Sequence, residues 1–226
     1  MTSTISPTVE GRARKSRGTS NQDILQMVVR ALAKRQISGE CIVDVGCGQG
    51  DLCSFVRSRF SRYIGIDAVR YDDFPDQAEF CLLDVDSGRI PFPEGCADVV
   101  AAVEVIEHLE NPREFMRKLA ALAKPGGWVI VTTPNQLSFL SLLTLMVKHK
   151  FQAFQDVHYP AHLTALLEID LRRIAAECGL ARIDIEYTQA GRIPGTPLNH
   201  PRFMSRWFPR AFSDNVLVIG QKAPAQ

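Results

Sequence analysis

The chain has 226 residues, 46% of them hydrophobic, and a formal net charge of +1. That length and apolar content suit one sizeable core, so a single α/β domain is expected rather than two. Near-neutral charge lacks the basic excess that nucleic-acid binders carry, which makes nucleic acid an unexpected partner.

Residues 1–20, "MTSTISPTVEGRARKSRGTS", are polar and basic with no apolar core of a secretory signal,. They read as a disordered tail whose Arg12, Arg14, Lys15 and Arg17 are solvated or meet an acidic surface or RNA,. Residues 21–226 are the folded domain. It opens with "NQDILQMVVRALAKRQ", where Ile24, Leu25, Val28, Val29 and Leu32 have helical spacing and Asn21 or Asp23 offers an N-cap,.

Strand-like and helix-like runs then alternate. "CIVDVG" (41–46), "YIGID" (63–67), "AEFCLLDV" (78–85), "ADVVAAVEV" (97–105) and "GWVIVTTPN" (127–135) read as strands,. "DLCSFVRSRF" (51–60) and "NPREFMRKLAALA" (111–123) read as helices,. "EIDLRRIAAECGL" (168–180) is a further helix, with Gly179 near its end, followed by strands "ARIDIEYTQ" (181–189) and "NVLVIGQKA" (215–223),. This order predicts a parallel sheet with crossover helices on both faces. Segments 136–163 and 190–213 fall outside the alternation and are expected to be lids or binding loops. The six cysteines form no CxxC pair, and several sit in apolar runs, which points to a reducing, cytoplasmic setting,.

"VDVGCGQGD" (43–51) carries the chemistry. A strand entering a glycine-rich turn and then a helix surrounds a small ligand with backbone N–H groups. Gly46, Gly48 and Gly50 read GxGxG, which is neither the GxGxxG dinucleotide fingerprint nor a phosphate loop ending in GK[ST],. A nicotinamide dehydrogenase is disfavoured by that spacing. Asp44, inside the strand, would repel a phosphate and suit a cationic amine, or else would bond nearby loop N–H groups. Asp67, ending "YIGID", stands where a carboxylate accepts both hydroxyls of a ribose.

These residues resemble the class I S-adenosylmethionine-dependent methyltransferases, in chain order. "VDVGCGQG" is similar to the family's first motif, "YIGID" to its second, "LLDVDSGRIPFPEGCADVV" to its third and fourth, and "LAKPGGWVIVTTPN" to its fifth. The resemblance implies a Rossmann-like seven-stranded sheet of order 3-2-1-4-5-7-6 with the last strand antiparallel, and S-adenosylmethionine as cofactor. It places Asp44, Gly46, Cys47, Gly48 and Gly50 around the methionine portion, and Asp67 with Ala68 at the ribose. Asp84 and Val85 would flank the adenine, with Glu104 beside the sulfonium. "CAD" (96–98) departs from the family, which usually carries an aromatic before that aspartate.

Methyl transfer needs an aligned acceptor and, for a hydroxyl, a base. "EVIEH" supplies Glu104, Glu107 and His108 at the carboxyl edge of the sheet, and His108 is the candidate base,. Read as a helix, ExxEH would put both carboxylates and the imidazole on one face, a set that could hold a metal with His158 or His162. In "LSFLSLLTLMVKHK" (137–150) Ser138, Ser141, Thr144 and Lys148 form a polar stripe among Phe139, Leu140, Leu142, Leu143, Leu145 and Met146. That run is shorter than the roughly 20 residues needed to cross a bilayer. Its apolar face is expected to be buried against the domain or a second subunit, with contact to a membrane or lipid-linked acceptor as the other reading. Segment 190–213 mixes Arg192, Arg202, Arg206 and Arg210 with Phe203, Trp207, Phe208 and Phe212, which suits an anionic, ring-bearing ligand or a packed loop,.

The leading expectation is methyl transfer to the oxygen of a small or lipid- or glycan-linked acceptor. A silent S-adenosylmethionine-binding subunit, and an RNA 2′-O-methyltransferase using a metal at ExxEH, stand as alternatives. A homodimer formed through the apolar lid fits either.

Overall fold

The computed structural model describes residues 10, 11, 14, 18–86 and 90–224, so the tail cations Arg12, Lys15 and Arg17 lie outside the described residues. Helix α1 (Gln22–Lys34) starts on Asn21, whose side chain accepts the Asp23 N–H and satisfies one of the free amides of the first turn,. The chain continues through β1 (Gly39–Val45), α2 (Asp51–Val56), β2 (Phe60–Asp67) and β3 (Glu79–Leu82). It then forms β4 (Ala97–Val103), α3 (Pro112–Leu122), β5 (Ala123–Pro134) and α4 (Phe139–Lys148). Helix α5 (Glu168–Glu177), β6 (Leu180–Tyr187), α6 (Arg202–Trp207) and β7 (Asn215–Lys222) complete it.

The seven strands form one sheet of order β3-β2-β1-β4-β5-β7-β6, with β7 antiparallel to both neighbours. This is the order that the family resemblance implies. Strand residues alternate between two cores. Ile42, Val99, Ala101, Ile130 and Leu217 meet α1 and α2 on one face. Val43, Val100, Ala102, Val131 and Val218 meet α3 and α5 on the other, packing on Phe115, Leu119, Leu171 and Ile174. Burial on both faces explains why these strands read as continuous apolar runs.

Two element bounds shift for reasons of packing. Helix α2 stops at Val56, short of residue 60, because Phe60 is taken into β2 opposite Gly39 of β1. Strand β3 stops at Leu82, and the chain from 83 to 86 turns into the cleft at the sheet edge.

The larger correction concerns α4. Its buried residues are Ser141 and Thr144, whereas Phe139, Leu142, Met146 and Val147 are exposed. The apolar face expected to pack against the domain points away from it. The polar stripe is held inward by Gln152: its N–H donates to Ser141 Oγ at 3.3 Å, and its Oε1 accepts from Thr144 Oγ1 at 3.0 Å.

Candidate active site

Strands β1, β2 and β4 run parallel and end at one edge, and the order reverses between β1 and β4, which opens a crevice there,. A cleft of about 420 Å³ fills it. Gly46, Cys47, Gly48, Asp67, Ala68, Asp84, Val85, Glu104 and His108 all line this cleft, so the structure brings together nine of the residues singled out from sequence. Asp44 and Gly50 do not line it. Asp44 is buried within β1, and Gly50 ends the loop as the left-handed N-cap of α2.

The glycines are required by space. A Cβ on Gly46 would lie 2.3 Å from Val105, and one on Gly48 2.1 Å from the Gly18 carbonyl, both at positive φ,. Gly48 donates its N–H to Asp67 Oδ2 at 2.8 Å, while Val69 donates to Oδ1 at 3.1 Å. Each carboxylate oxygen keeps a further lone-pair site, so Asp67 can still accept ligand hydroxyls. Burial raises the Asp67 pKa, against the pull of those N–H donors.

Asp44 is buried and accepts the Tyr63 hydroxyl on Oδ2, rather than loop N–H groups. Its Oδ1 has no hydrogen-bond partner among the described residues. Burial pushes its pKa up to about 7, with the Tyr63 bond opposing,. An orphaned carboxylate oxygen beneath a glycine cradle is a fit for a cationic amino group bound above it.

Residues 18–20, assigned from sequence to the tail, belong to the folded domain. Gly18 accepts the Gln49 N–H at 2.8 Å, Ser20 donates its N–H to Asp51 Oδ2 at 3.1 Å, and Gly18, Thr19, Ser20 and Asn21 line the cleft. The sequence signal was a glycine just ahead of the Asn21 cap.

The ExxEH segment is not one helical face. Glu104 has φ 56°, and only Ile106–His108 forms a 3-10 turn. Thr132 Oγ1 and Asn215 Nδ2 donate to the Glu104 carboxyl at 2.8 and 2.7 Å. Glu107 is buried and accepts Thr133 Oγ1 at 3.1 Å. Burial raises both pKa values, and the Glu107 charge raises that of Glu104 further, so the two acids titrate as a pair,.

His108 Nδ1 lies 2.9 Å from the Ala161 carbonyl. A carbonyl only accepts, so Nδ1 carries the proton and Nε2 is the basic nitrogen of the neutral ring. The Glu107 carbonyl accepts the N–H groups of Leu163 and Thr164, which ties segment 156–164 to the cleft. His162 then stands edge-on to His108, with ring centroids 4.7 Å apart, and stacks on His158 at 5.3 Å. Burial, with the neighbouring His108 and His158, lowers the His162 pKa to about 4. Ligand atoms of Glu107, His108 and His162 all lie within 4.8 Å of one another, and Glu104 is outside this cluster.

A second cavity, of about 500 Å³, adjoins the cleft and shares Asn21, His158 and His162 with it. Gln136, Ser138, Ser141, Arg192 and Asn199 line it. Gln136 is 2% exposed, and its Oε1 has no partner among the described residues. The inward polar stripe of α4 therefore serves as a wall of this cavity.

A family model described as a methyltransferase domain matches residues 18–184. The chain belongs to that family. Its sheet and glycine loop are those of the class I S-adenosylmethionine-dependent methyltransferases. A probable S-adenosylmethionine-dependent methyltransferase of Mycolicibacterium smegmatis is 30% identical over 117 residues, covering 50% of this chain and 45% of that protein. A ubiquinone biosynthesis O-methyltransferase of Bordetella bronchiseptica is 36% identical over 110 residues, covering 44% and 45%. The chain thus spans less than half the length of these relatives. Among solved structures, a Haloferax volcanii methyltransferase in complex with the activator Trm112 superposes with a TM-score of 0.65 at 19% identity, covering 98% of this chain and 100% of that one. No helix among the described residues is long and apolar enough to cross a membrane.

Proposed function

We propose that this methyltransferase acts on a hydroxyl oxygen of a polar acceptor, with His108 as the base. When bound, S-adenosylmethionine supplies a sulfonium-activated methyl group for in-line displacement. Gly46 and Gly48 admit the methionine end close to the backbone, and Asp44 Oδ1 offers the anion for its amino group. Asp67 receives the ribose hydroxyls, with Ala68 beside it, and Asp84 with Val85 borders the adenine. Cys47 and Glu104 close the cleft around the sulfonium end, and Gly50 ends the loop in the left-handed conformation that starts α2.

The second cavity is assigned to the body of the acceptor, whose hydroxyl would reach His108 in the cleft past the shared His162. Its unpartnered Gln136 Oε1 is an acceptor that a ligand hydroxyl would satisfy, removing a burial cost of about 1–3 kcal/mol,. His108 Nε2 takes the acceptor proton as the new C–O bond forms and the S–C bond breaks, leaving S-adenosylhomocysteine and a methyl ether. The observation that carries this reading is the Ala161 carbonyl 2.9 Å from His108 Nδ1, which assigns the proton to Nδ1 and the basic lone pair to Nε2,. Relatives named as O-methyltransferases support the choice of oxygen.

The test has two steps. Thermal shift with S-adenosylmethionine and, separately, NADH should show stabilisation by the former, and stabilisation by NADH alone would overturn the cofactor assignment. Release of S-adenosylhomocysteine is then measured with a panel of catechols, alkyl glycosides and primary amines. Turnover confined to the amines would overturn the oxygen assignment, and cofactor binding without turnover on extracts of the source cells would favour a silent binder.

A further inference from the structure

We propose that the face formed by α4 and α6 docks the protein onto a bilayer surface bearing anionic lipid. Both helices are inverted relative to a normal surface helix. Helix α4 turns Ser141 and Thr144 inward and leaves Met146 77% exposed, with Phe139, Leu142 and Val147 beside it. Helix α6 buries Ser205, whose hydroxyl donates to the Phe212 carbonyl at 2.7 Å, and leaves Trp207 77% exposed, with Phe203 and Phe208. The two meet at the start of α4, where Phe139 donates its N–H to the Ala211 carbonyl at 2.7 Å and its ring lies 6.3 Å from that of Phe212. Exposed aromatic and aliphatic side chains gathered on one face mark an interaction surface rather than ordinary scatter.

Charge selects the occupant. Segments 136–163 and 190–213 carry six lysines and arginines against one acid, Asp156. Lys150, Arg192 and Arg210 pair with Asp156, Asp214 and Glu168, which leaves Lys148, Arg202 and Arg206 as the cations this region offers a partner. Arg202 and Arg206 are exposed and make no ion pair among the described residues. A second copy meeting this face by two-fold symmetry would bring these cations onto one another. An anionic bilayer answers both features: apolar side chains enter the acyl boundary while the cations meet headgroups. Helix α4 has 10 residues, enough to lie in the interface and too few to span it,. Behind α4 stands the polar second cavity, so a headgroup lifted from the docked surface has a direct polar route to His158 and His162. This last link rests on the proposed acceptor site, whereas docking itself does not.

Sedimentation of the purified chain with phosphatidylcholine vesicles, with and without 30 mol% phosphatidylglycerol, tests the proposal without cofactor or acceptor. Binding should be at least about tenfold stronger to the anionic vesicles and should fall with salt. The double variant Met146→Ser/Trp207→Ser and, separately, Arg202→Glu/Arg206→Glu should each weaken it by about tenfold or more, with S-adenosylmethionine affinity retained. Failure to sediment with anionic vesicles would overturn the proposal, as would equal binding by the variants. A solution dimer dispersed by the same substitutions would also overturn it, by assigning the face to a second copy. A failed vesicle assay alongside intact turnover would leave the proposed function standing, and the reverse result would separate the two in the other direction.

Discussion

The loop after β1 and helix α4 both border the active-site region, yet they obey opposite rules of side-chain placement. In the loop, placement is set by close approach to the backbone. Gly46 and Gly48 are there because a Cβ would strike Val105 or the Gly18 carbonyl, and Asp67 is fixed by N–H donors from Gly48 and Val69. In α4 the backbone is an ordinary capped helix, with Ser138 accepting the Ser141 N–H, and the information lies in which face the helix presents. A motif records backbone demands directly. A helix records only its periodicity, which is the same whether the apolar stripe faces a core or faces outward.

The sharpest way to break this division is to remove chemistry while sparing the cradle. His108→Gln should lower turnover by about 10²- to 10⁴-fold, the usual worth of a positioned base, while calorimetry finds S-adenosylmethionine affinity changed by less than about threefold. A parallel loss of affinity would place His108 among the cofactor contacts instead. The next largest effect belongs to the cradle itself. Asp67→Ala deletes the acceptor of the Gly48 N–H and of the proposed ribose hydroxyls, and should weaken S-adenosylmethionine binding by about 10- to 100-fold in the same calorimetric assay,. Unchanged affinity would remove Asp67 from the site.

The sequence made the fold and the cofactor half of the cleft legible for specific reasons. Val43, Val100 and Val131, doubly buried in parallel strands, left unbroken apolar runs, and the GxGxG loop, Asp67 and Asp84 came in family order along the chain. Three things were hidden. The ExxEH spacing suggested a helical face, but the positive φ of Glu104 breaks that geometry, and no residue pattern announces a non-glycine in that conformation,. The 18–20 strap looked like tail because its packing is made by backbone, through Gly18 and Ser20. The inversion of α4 depends on Gln152 returning past it, a contact eleven residues away from Ser141.

A pH series probes the buried acid under the loop, with a smaller effect. The folded Asp44 pKa is about 7, against about 3.9 for an unfolded aspartate,. The fold therefore favours the protonated form, and the stabilisation it provides is fully present below about 3.9 and lost as pH rises through about 7. His162, lowered to about 4, works the other way: the fold favours its neutral form, and that contribution is lost as pH falls from about 6.5 through 4,. Asp44→Asn should thus flatten the decline of unfolding free energy between pH 5 and 7.5 by up to about 1.4 kcal/mol per pH unit, measured by denaturant titration without cofactor. Saturating S-adenosylmethionine should shrink the wild-type slope toward that of the variant, because an ammonium beside Oδ1 favours the ionised form. A wild-type slope indifferent to both would deny Asp44 the amino-group contact.

The smallest expected effect concerns the metal question raised by ExxEH. Glu104 is tied to Thr132 and Asn215, so the residues that converge are one acid and two imidazoles. The acid is a poor ligand near neutrality, since burial pushes the Glu107 pKa up to about 7 and Thr133 already donates to its carboxyl. If His108 Nε2 is the base, as proposed, a cation there would compete with proton transfer rather than assist it. Turnover should change by less than about twofold with EDTA or with added Mn²⁺, since a base of this kind needs no Lewis acid beside it. A tenfold or larger acceleration by Mn²⁺, abolished in His162→Gln and accompanied by metal that co-elutes with the protein, would reassign His108 from base to ligand. It would also join the histidine pair on segment 156–164 to the chemistry, and so erase the division between a backbone-coded cradle and a side-chain-coded shell.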